Sequence, residues 1–189
     1  MLKLTWQSIR QTIFWTIVAG IIYPLVITVI AQVAFKHQAD GSLVERDGKV
    51  VGSVLLAQQF QGTNYFWARP SAGSYATVPS GASNLGPTSG QLQTNVMNNV
   101  AAMQTAHGLS TNAPVPADLV YTSGSGLDPH ISPEAARFQI ARVAAARGMS
   151  ESDMKQLVEK FVEPPQLGFL GEARVNVLLL NLALDGMKK

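Results

Sequence analysis

The most prominent pattern in the sequence is a long apolar run near its amino terminus. Residues 12–35 form a stretch of 24 residues without Asp, Glu, Lys, Arg or His. A helix rises about 1.5 Å per residue, so this run measures about 36 Å, against about 30 Å for the hydrocarbon core of a bilayer. A cleavable signal peptide is the alternative, but its apolar part is usually about 7 to 15 residues long. The pattern predicts a retained transmembrane anchor within residues 1–36.

The charges around this run indicate its orientation. Lys3 and Arg10 precede it, whereas Lys36 is soon followed by Asp40 and further acidic residues. Positive charge concentrates on the cytoplasmic side of membrane helices. We therefore expect a cytoplasmic amino terminus and an extracytoplasmic domain over residues 37–189.

Two residues inside the run, Gly20 and Pro24, interrupt its regularity. Glycine permits a neighbouring helix to approach closely, and proline removes one backbone hydrogen bond. These residues fit a docking face for another membrane helix. They fit equally well the ordinary enrichment of Gly and Pro in membrane helices, and both interpretations stay open.

The rest of the chain mixes the signals of strands and helices. Asp47-Gly48 is a strong turn signal and predicts a hairpin of residues 42–46 and 49–56, and residues 118–122 fit a short buried strand. Capping residues, glycines and prolines place the boundaries of the helices. The helices are predicted from Thr88 to His107, from Ser132 to Arg147, from Ser150 to the prolines at 164 and 165, and over residues 175–184. The last run also fits a strand. The predicted class is α+β, a single transmembrane helix followed by one mixed α/β domain.

Composition narrows the classes of function. The chain has 189 residues, a formal net charge of +2 and no cysteine. Beyond residue 36 there are 11 basic and 12 acidic side chains, so the domain is nearly neutral. A nucleic-acid partner would require a basic patch, and a disulfide framework or thiolate metal site would require cysteine. None of these classes fits.

A stretch of uncharged polar residues covers much of the domain. Between Arg69 and Asp118 lie 48 residues without Lys, Arg, Asp or Glu. Interface cores are depleted of charge, so this stretch favours a surface that packs against a partner. A long loop with a partly buried helix is the alternative.

The densest group of candidate chemical residues occupies positions 123–132. Ser123, Ser125, Asp128 and His130 supply hydroxyl, carboxylate and imidazole groups. A phosphate cradle would lack the P-loop lysine, a serine hydrolase would lack the G-x-S-x-G elbow, and a metal site would have only two ligands. A turn that leads into a helix, with these side chains bonded to the backbone, is the simplest interpretation.

Two further segments contain possible contact residues. Residues 65–71 place three aromatic side chains beside Arg69, and residues 80–87 include Ser83 and Asn84. An arginine beside aromatic rings can anchor an interface, although such a cluster is more often part of a core.

Ordered motifs across nearly the whole chain resemble those of one known family, the KdpC subunits of Kdp-type potassium-transporting ATPases. The matching segments are residues 23–25, 65–66, 69–71, 83–87, 123–133, 175–176 and 181–185. The resemblance implies a noncatalytic subunit of a bacterial inner-membrane pump. Its partners would be a channel-like potassium-translocating subunit and a P-type ATPase subunit. The D-K-T-G-T phosphorylation motif and the T-V-G-Y-G filter are absent from this chain.

The resemblance also implies a catalytic chaperone that raises the ATP affinity of the ATPase subunit through a transient ternary complex. No tightly bound cofactor or metal is expected. An extracytoplasmic domain would act on cytoplasmic ATP only through a coupling free energy transmitted by the complex. The candidate binding residues are Arg69, Ser83, Asn84, Ser123, Ser125, Asp128 and His130, at an interface or linked to nucleotide. A membrane-anchored serine hydrolase and an independent extracytoplasmic binding domain are the alternatives.

Overall fold

The computed structural model describes residues 1–187. The chain divides into two compact units, Met1–Val50 and a second unit that begins at Val51. The structure confirms the α+β class, with an apolar amino-terminal helix and a mixed domain that contains small sheets.

The predicted anchor is one continuous helical segment, Leu2–Ala34, whose most apolar part has no buried residues. It consists of α1 (Leu2–Ile17), a π-helical turn (Val18–Ile22) and α2 (Tyr23–Ala34). At about 1.5 Å per residue it is long enough to cross a bilayer. Its exposed apolar side chains are the surface that lipid or other helices would cover.

The π-helical turn includes Gly20 and ends at Ile22, two residues before Pro24. Proline has no N–H, and its ring clashes with the carbonyl group four residues earlier in a regular α-helix. A wider turn at this place relieves that conflict. After a short helix α3 (Lys36–Ala39), the chain enters the hairpin of β1 (Leu43–Arg46) and β2 (Lys49–Ser53).

The structure confirms the hairpin turn, since Asp47 and Gly48 both have positive φ, at 53° and 74°. Two successive positive φ angles are what a tight two-residue hairpin requires. The second strand ends at Ser53, three residues before the predicted end.

The second unit contains a small antiparallel sheet in the order β3-β5-β4. Its strands are β3 (His130–Ile131), β4 (Val162–Glu163) and β5 (Arg174–Asn176). The central strand pairs Val175 with both Ile131 and Val162. Strands of two or three residues are too short to show alternation along the chain. Their partners also lie 11 to 46 residues away, so no local turn signal marks the pairing.

Within residues 51–187, five α-helices surround the sheet and the long loops. They are α4 (Gly90–Ala106), α5 (Pro133–Phe138), α6 (Ile140–Arg147), α7 (Glu151–Lys160) and α8 (Val177–Gly186). Serine side chains cap three of them: Ser89 for α4, Ser132 for α5 and Ser150 for α7. The hydrophobic core lies mainly between α5, α6, α7, α8 and β5. Its largest fully buried apolar side chains are Phe66, Leu119, Ile131, Met154, Leu180, Leu184, Val143, Val158, Val175 and Val177.

Several predicted boundaries were wrong. Residues 118–122 are not a strand, because Leu119 and Val120 close a 3₁₀ turn (Ala117–Leu119) with local backbone bonds to Pro116 and Ala117. The first two residues of the last apolar run, Val175 and Asn176, belong to strand β5, and α8 starts only at Val177. The cap of α4 is Ser89 instead of Thr88, and α7 ends at Lys160 before the short strand β4.

The helix predicted from Ser132 to Arg147 is divided at Gln139 into α5 and α6. The backbone N–H of Gln139 donates to Ala136 O, three residues earlier, at 3.2 Å. This tighter turn changes the direction of the chain. The predicted end of the helix is confirmed, since Gly148 adopts the left-handed conformation with φ of 62°.

Candidate functional site

Residues 64–70, which contain the aromatic residues and are called the extended segment, begin in a turn that Tyr65 N and Gly62 O close and continue without a neighbouring strand among residues 1–187. This segment is held by side chains of the surrounding helices. Asn181 of α8 is almost fully buried and bonds both backbone groups of Phe66. Its Oδ1 accepts from Phe66 N at 2.8 Å, and its Nδ2 donates to Phe66 O at 2.9 Å. One amide side chain therefore supplies what a neighbouring strand would supply in a sheet.

The next residue, Trp67, is held in the same way by Gln139. The side chain of Gln139 accepts from Trp67 N at 2.7 Å and donates to Trp67 O at 3.1 Å. Gln139 is fully buried, at the junction of α5 and α6. The broken helix thus places an amide where it can pair with the extended segment.

A buried arginine, Arg142 of α6, completes this arrangement. Its guanidinium donates to Thr63 O, to Gln139 Oε1 at 2.8 Å and to His107 Nε2 at 3.2 Å. It also lies over the ring of Trp67, with Cζ at 4.1 Å from the ring centroid. Burial lowers the pKa of Arg142 to about 10, which leaves it positively charged at neutral pH.

His107, at the end of α4, is held in one neutral tautomer. Its Nδ1 lies 2.8 Å from Met103 O, a group that only accepts, and its Nε2 faces the donating Arg142. The Nδ1 atom therefore holds the proton. Burial lowers the pKa of His107, the hydrogen bond to Met103 O raises it, and the positive charge of Arg142 lowers it further, with a net decrease.

We expect the free energy of unfolding to decrease as the pH falls below about 6.5, the ordinary pKa of histidine. The pKa of His107 is lower in the folded state, so the folded state resists protonation that the unfolded state accepts. The contribution of His107 to stability is complete above its pKa in the unfolded state. It is lost as the pH falls toward its lower pKa in the folded state. The measurement is the urea midpoint of the detergent-solubilised chain across this range. His107→Gln should make the urea midpoint depend less steeply on pH. An unchanged dependence on pH would contradict the assignment of this effect to His107.

A second arginine fixes the other side of the extended segment. Arg147 donates to Asn64 O at 2.8 Å and to Asp185 Oδ1 at 2.7 Å. Tyr65 donates its hydroxyl to Asp185 Oδ2 at 3.2 Å, and the Arg147 guanidinium lies 4.8 Å from its ring centroid. The segment thus connects α6 with α8.

Three of the predicted binding residues form one cluster at the end of this segment. Arg69 Nη1 lies 3.3 Å from Asp128 Oδ2, and Asp128 Oδ1 accepts from His130 N at 3.0 Å. The pKa of Asp128 is lowered, and its largest cause is the interaction with the His130 side chain. Burial raises this pKa, but the His130 N–H and the charge of Arg69 lower it further. Arg69 Nε is buried and has no hydrogen-bond partner among residues 1–187.

The two predicted serines lie beside this cluster without joining it. Ser123 is buried, and its backbone N–H donates to Pro70 O at 3.1 Å. Ser125 is exposed, and its hydroxyl accepts from Leu127 N at 3.1 Å. In the described part of the chain, neither serine hydroxyl bonds to His130. The geometry brings together Asp128 and His130 but not the nucleophile that a hydrolase would need.

Ser83 and Asn84 lie on a separate loop. Asn84 is exposed with φ of 52°, and Ser83 is partly exposed. No hydrogen bond connects either residue to Arg69 or Asp128 within residues 1–187. Over the same residues, no group of three or more His, Asp or Glu side chains is placed to hold a metal ion.

The uncharged stretch includes the whole of α4, and the structure shows which of its residues face solvent. The exposed positions of this 17-residue helix include Thr94, Met97, Asn98, Ala101, Ala102 and Thr105. Its one buried residue is Gln104, whose amide donates to Thr111 O and Ala113 O. A solvated helix face normally carries charged side chains. This face carries none.

Sequence reasoning did not single out Gln139, Arg142 and Asn181 as residues that organise the domain. Each is a polar residue within a helical pattern that also predicts core positions. The available signal was a polar residue at a predicted core position of each helix. A buried polar group requires a hydrogen-bond partner, so such a residue indicates a structural contact. The partner itself, an extended segment 72 to 115 residues earlier in the chain, leaves no local signal.

The fold and its surfaces define a class of protein: an α+β domain that follows one apolar helix, with a cluster of polar contacts and an uncharged face. The family model described as K+-transporting ATPase, c chain, matches residues 5–186. The chain belongs to this family, the KdpC subunits of potassium-transporting ATPases.

Curated KdpC subunits from several bacteria are similar to this chain over most of their length. The chain is 56% identical to the potassium-transporting ATPase KdpC subunit of Sorangium cellulosum, over 89% of this chain and 90% of the relative. It is 53% identical to that of Paraburkholderia phytofirmans, over 92% and 91%, and 50% identical to that of Methylococcus capsulatus, over 96% of both. These relatives are named as subunits, which implies partnership with the other subunits of the ATPase.

Proposed function

We propose that this chain is the accessory subunit that stabilises a high-affinity, ATP-driven potassium uptake pump. The observation that carries the proposal is the exposed face of α4, which has no charged residue along its whole length. Charge-depleted surfaces are typical of interface cores. Another subunit of the pump is the partner that this face would contact.

The partners in this proposal are a channel-like potassium-translocating subunit and a P-type ATPase subunit. The anchor would dock against them in the bacterial inner membrane, with Gly20 and Pro24 on its contact face. Small residues allow helices to approach closely in lipid, and the π-helical turn leaves an irregular surface there. The cluster of Arg69, Asp128 and His130 would stiffen the two loops that it joins.

The proposal includes a rise in the ATP affinity of the ATPase subunit. With the amino terminus in the cytoplasm and the domain outside, this chain would not contact ATP directly. It would act by binding one conformation of the complex more tightly than another, which changes nucleotide affinity by the same coupling free energy.

The test is co-purification of the tagged chain from potassium-starved cells in mild detergent. We expect two large membrane subunits to accompany it, one with a P-type phosphorylation motif. Ala102→Arg adds charge to the exposed face of α4 without a helix-propensity penalty above a few tenths of a kcal/mol, and it should reduce co-purification and raise the KM for ATP.

Gln156→Arg places the same side chain on the exposed face of α7 and serves as the control. It should leave co-purification and the KM for ATP unchanged. Equal recovery of partners with Ala102→Arg and with the unchanged chain would contradict the α4 interface. Recovery of the chain alone in every case would contradict the accessory-subunit proposal itself.

A further inference from the structure

A short loop between β4 and β5 exposes three large apolar side chains at one tip. The exposed fractions of Leu167, Phe169 and Leu170 are 82%, 74% and 49%. These side chains contribute little to the core, so their exposure to water is a cost that the folded domain alone does not recover.

The tip is an ordered turn that is closed by its own backbone. Gln166 and Leu170 exchange two backbone hydrogen bonds of 2.9 Å each. Inside this bridge, Gly168 N donates to Pro165 O at 3.0 Å and Phe169 N donates to Gln166 O at 3.2 Å. Most N–H groups of the tip are therefore already bonded. These bonds lower the cost of moving the loop out of water, because fewer backbone groups lose a hydrogen bond to water.

Charge is absent from the tip and nearly balanced at its base. No charged residue lies between Glu163 and Glu172. At the base, Arg174 Nε donates to Glu163 Oε2 at 2.9 Å across paired strands. The ion pair offsets one acidic charge and marks the boundary between an apolar tip and a polar base. Such a boundary matches the transition from acyl chains to headgroups in a bilayer.

We propose that residues 166–170 form a second membrane contact, in which the tip inserts its apolar side chains at the boundary between headgroups and acyl chains. The chain has its own anchor helix, which holds the domain at a bilayer surface by covalent attachment, at a high effective concentration. Lipid is the occupant that an exposed, uncharged and self-bonded tip fits best. The contact orients the domain against the membrane.

The absence of cysteine from the chain allows a clean test with a single label. Leu167→Cys in the full-length chain is labelled with an environment-sensitive nitrobenzoxadiazole probe and reconstituted into phosphatidylcholine vesicles, with and without 5-doxyl phosphatidylcholine. We expect blue-shifted emission that the doxyl lipid quenches. Gln156→Cys, on an exposed polar face of α7, should give emission typical of water and no quenching.

A second variant checks that the tip itself drives the contact. Adding Phe169→Glu to the labelled Leu167→Cys chain should restore emission typical of water and remove the quenching, because a carboxylate is costly at this depth. Emission typical of water in the Leu167→Cys chain would overturn the proposal. So would a blue shift without doxyl quenching, which would indicate a protein pocket or a second copy of the chain. The anchor remains in every sample, so these outcomes do not depend on assembly of the pump.

Discussion

Gln139→Leu should lower the free energy of unfolding by about 3 to 5 kcal/mol, because each buried polar group left without a partner costs about 1 to 3 kcal/mol. The substitution leaves Trp67 N, Trp67 O and the Arg142 guanidinium without their bonds to this side chain. Arg142 would be affected most, since it is buried and charged. A loss of this size is a large part of the stability of an ordinary domain. Urea unfolding of the full chain in detergent, followed by circular dichroism, measures it.

Gln139→Glu is the matched control. Its carboxylate still accepts from Trp67 N and gives Arg142 an acceptor of opposite charge, whereas the Nε2 donor to Trp67 O and Ala135 O is lost. We expect this variant to lose about 1 to 2 kcal/mol, less than the leucine variant. Equal losses in the two variants would contradict the view that the bonds from Trp67 N and Arg142 to this side chain stabilise the domain.

Asn181→Leu should lower the free energy of unfolding by about 2 to 4 kcal/mol. Both backbone groups of Phe66 lose their partner, and the leucine side chain cannot replace either bond. Asn98→Leu, on the exposed face of α4, is the matched control and should change stability by less than about 0.5 kcal/mol. The measurement is again the midpoint and slope of urea unfolding.

The double variant of Gln139 and Asn181 tests whether the two amides act as a unit. They hold adjacent residues of one extended segment, so release of Phe66 weakens the hold on Trp67. The combined loss should therefore be smaller than the sum of the single losses, by at least about 0.5 kcal/mol. Additive losses would contradict the view that this segment is fixed as one element.

The two ends of the extended segment have different roles. The end with Phe66 and Trp67 is bonded to buried side chains of the helices, and the end with Arg69 belongs to the polar cluster. Phe66 and Trp67 are fixed by α8 and by the junction of α5 and α6, and they connect the helices to the loops. Arg69 lies two residues later and reaches Asp128 from there. Changes at Gln139 or Asn181 should consequently disturb the Arg69 cluster indirectly, whereas changes at Arg69 should leave the core intact.

Much of the fold was predictable because its signals are local. The long apolar helix follows from the length of a charge-free run, and the first hairpin follows from Asp47-Gly48, whose positive φ angles the structure confirms. The starts of α5 and α7 at Ser132 and Ser150 follow from serine caps that bond within three residues. Each of these features depends only on neighbours in the chain.

The candidate site was predictable only in part. The proximity of Asp128 and His130 follows from their spacing, but the approach of Arg69, 59 residues earlier, does not. Ser83 and Asn84 belong to another of the segments that resemble the family, and they lie on a different loop. Similarity to a family identifies residues, and it carries no information about which of them touch.

The sequence by itself determined the long apolar helix, the α+β class, the first hairpin and the family to which the chain belongs. Only the tertiary structure decided the three-stranded sheet, the break in the helix at Gln139 and the pairing of Gln139 and Asn181 with the segment at 66 and 67. The physical reason is the range of the interactions. Turns and caps are satisfied within a few residues, whereas two-residue strands and buried amides obtain their bonds from distant segments that meet only when the core closes.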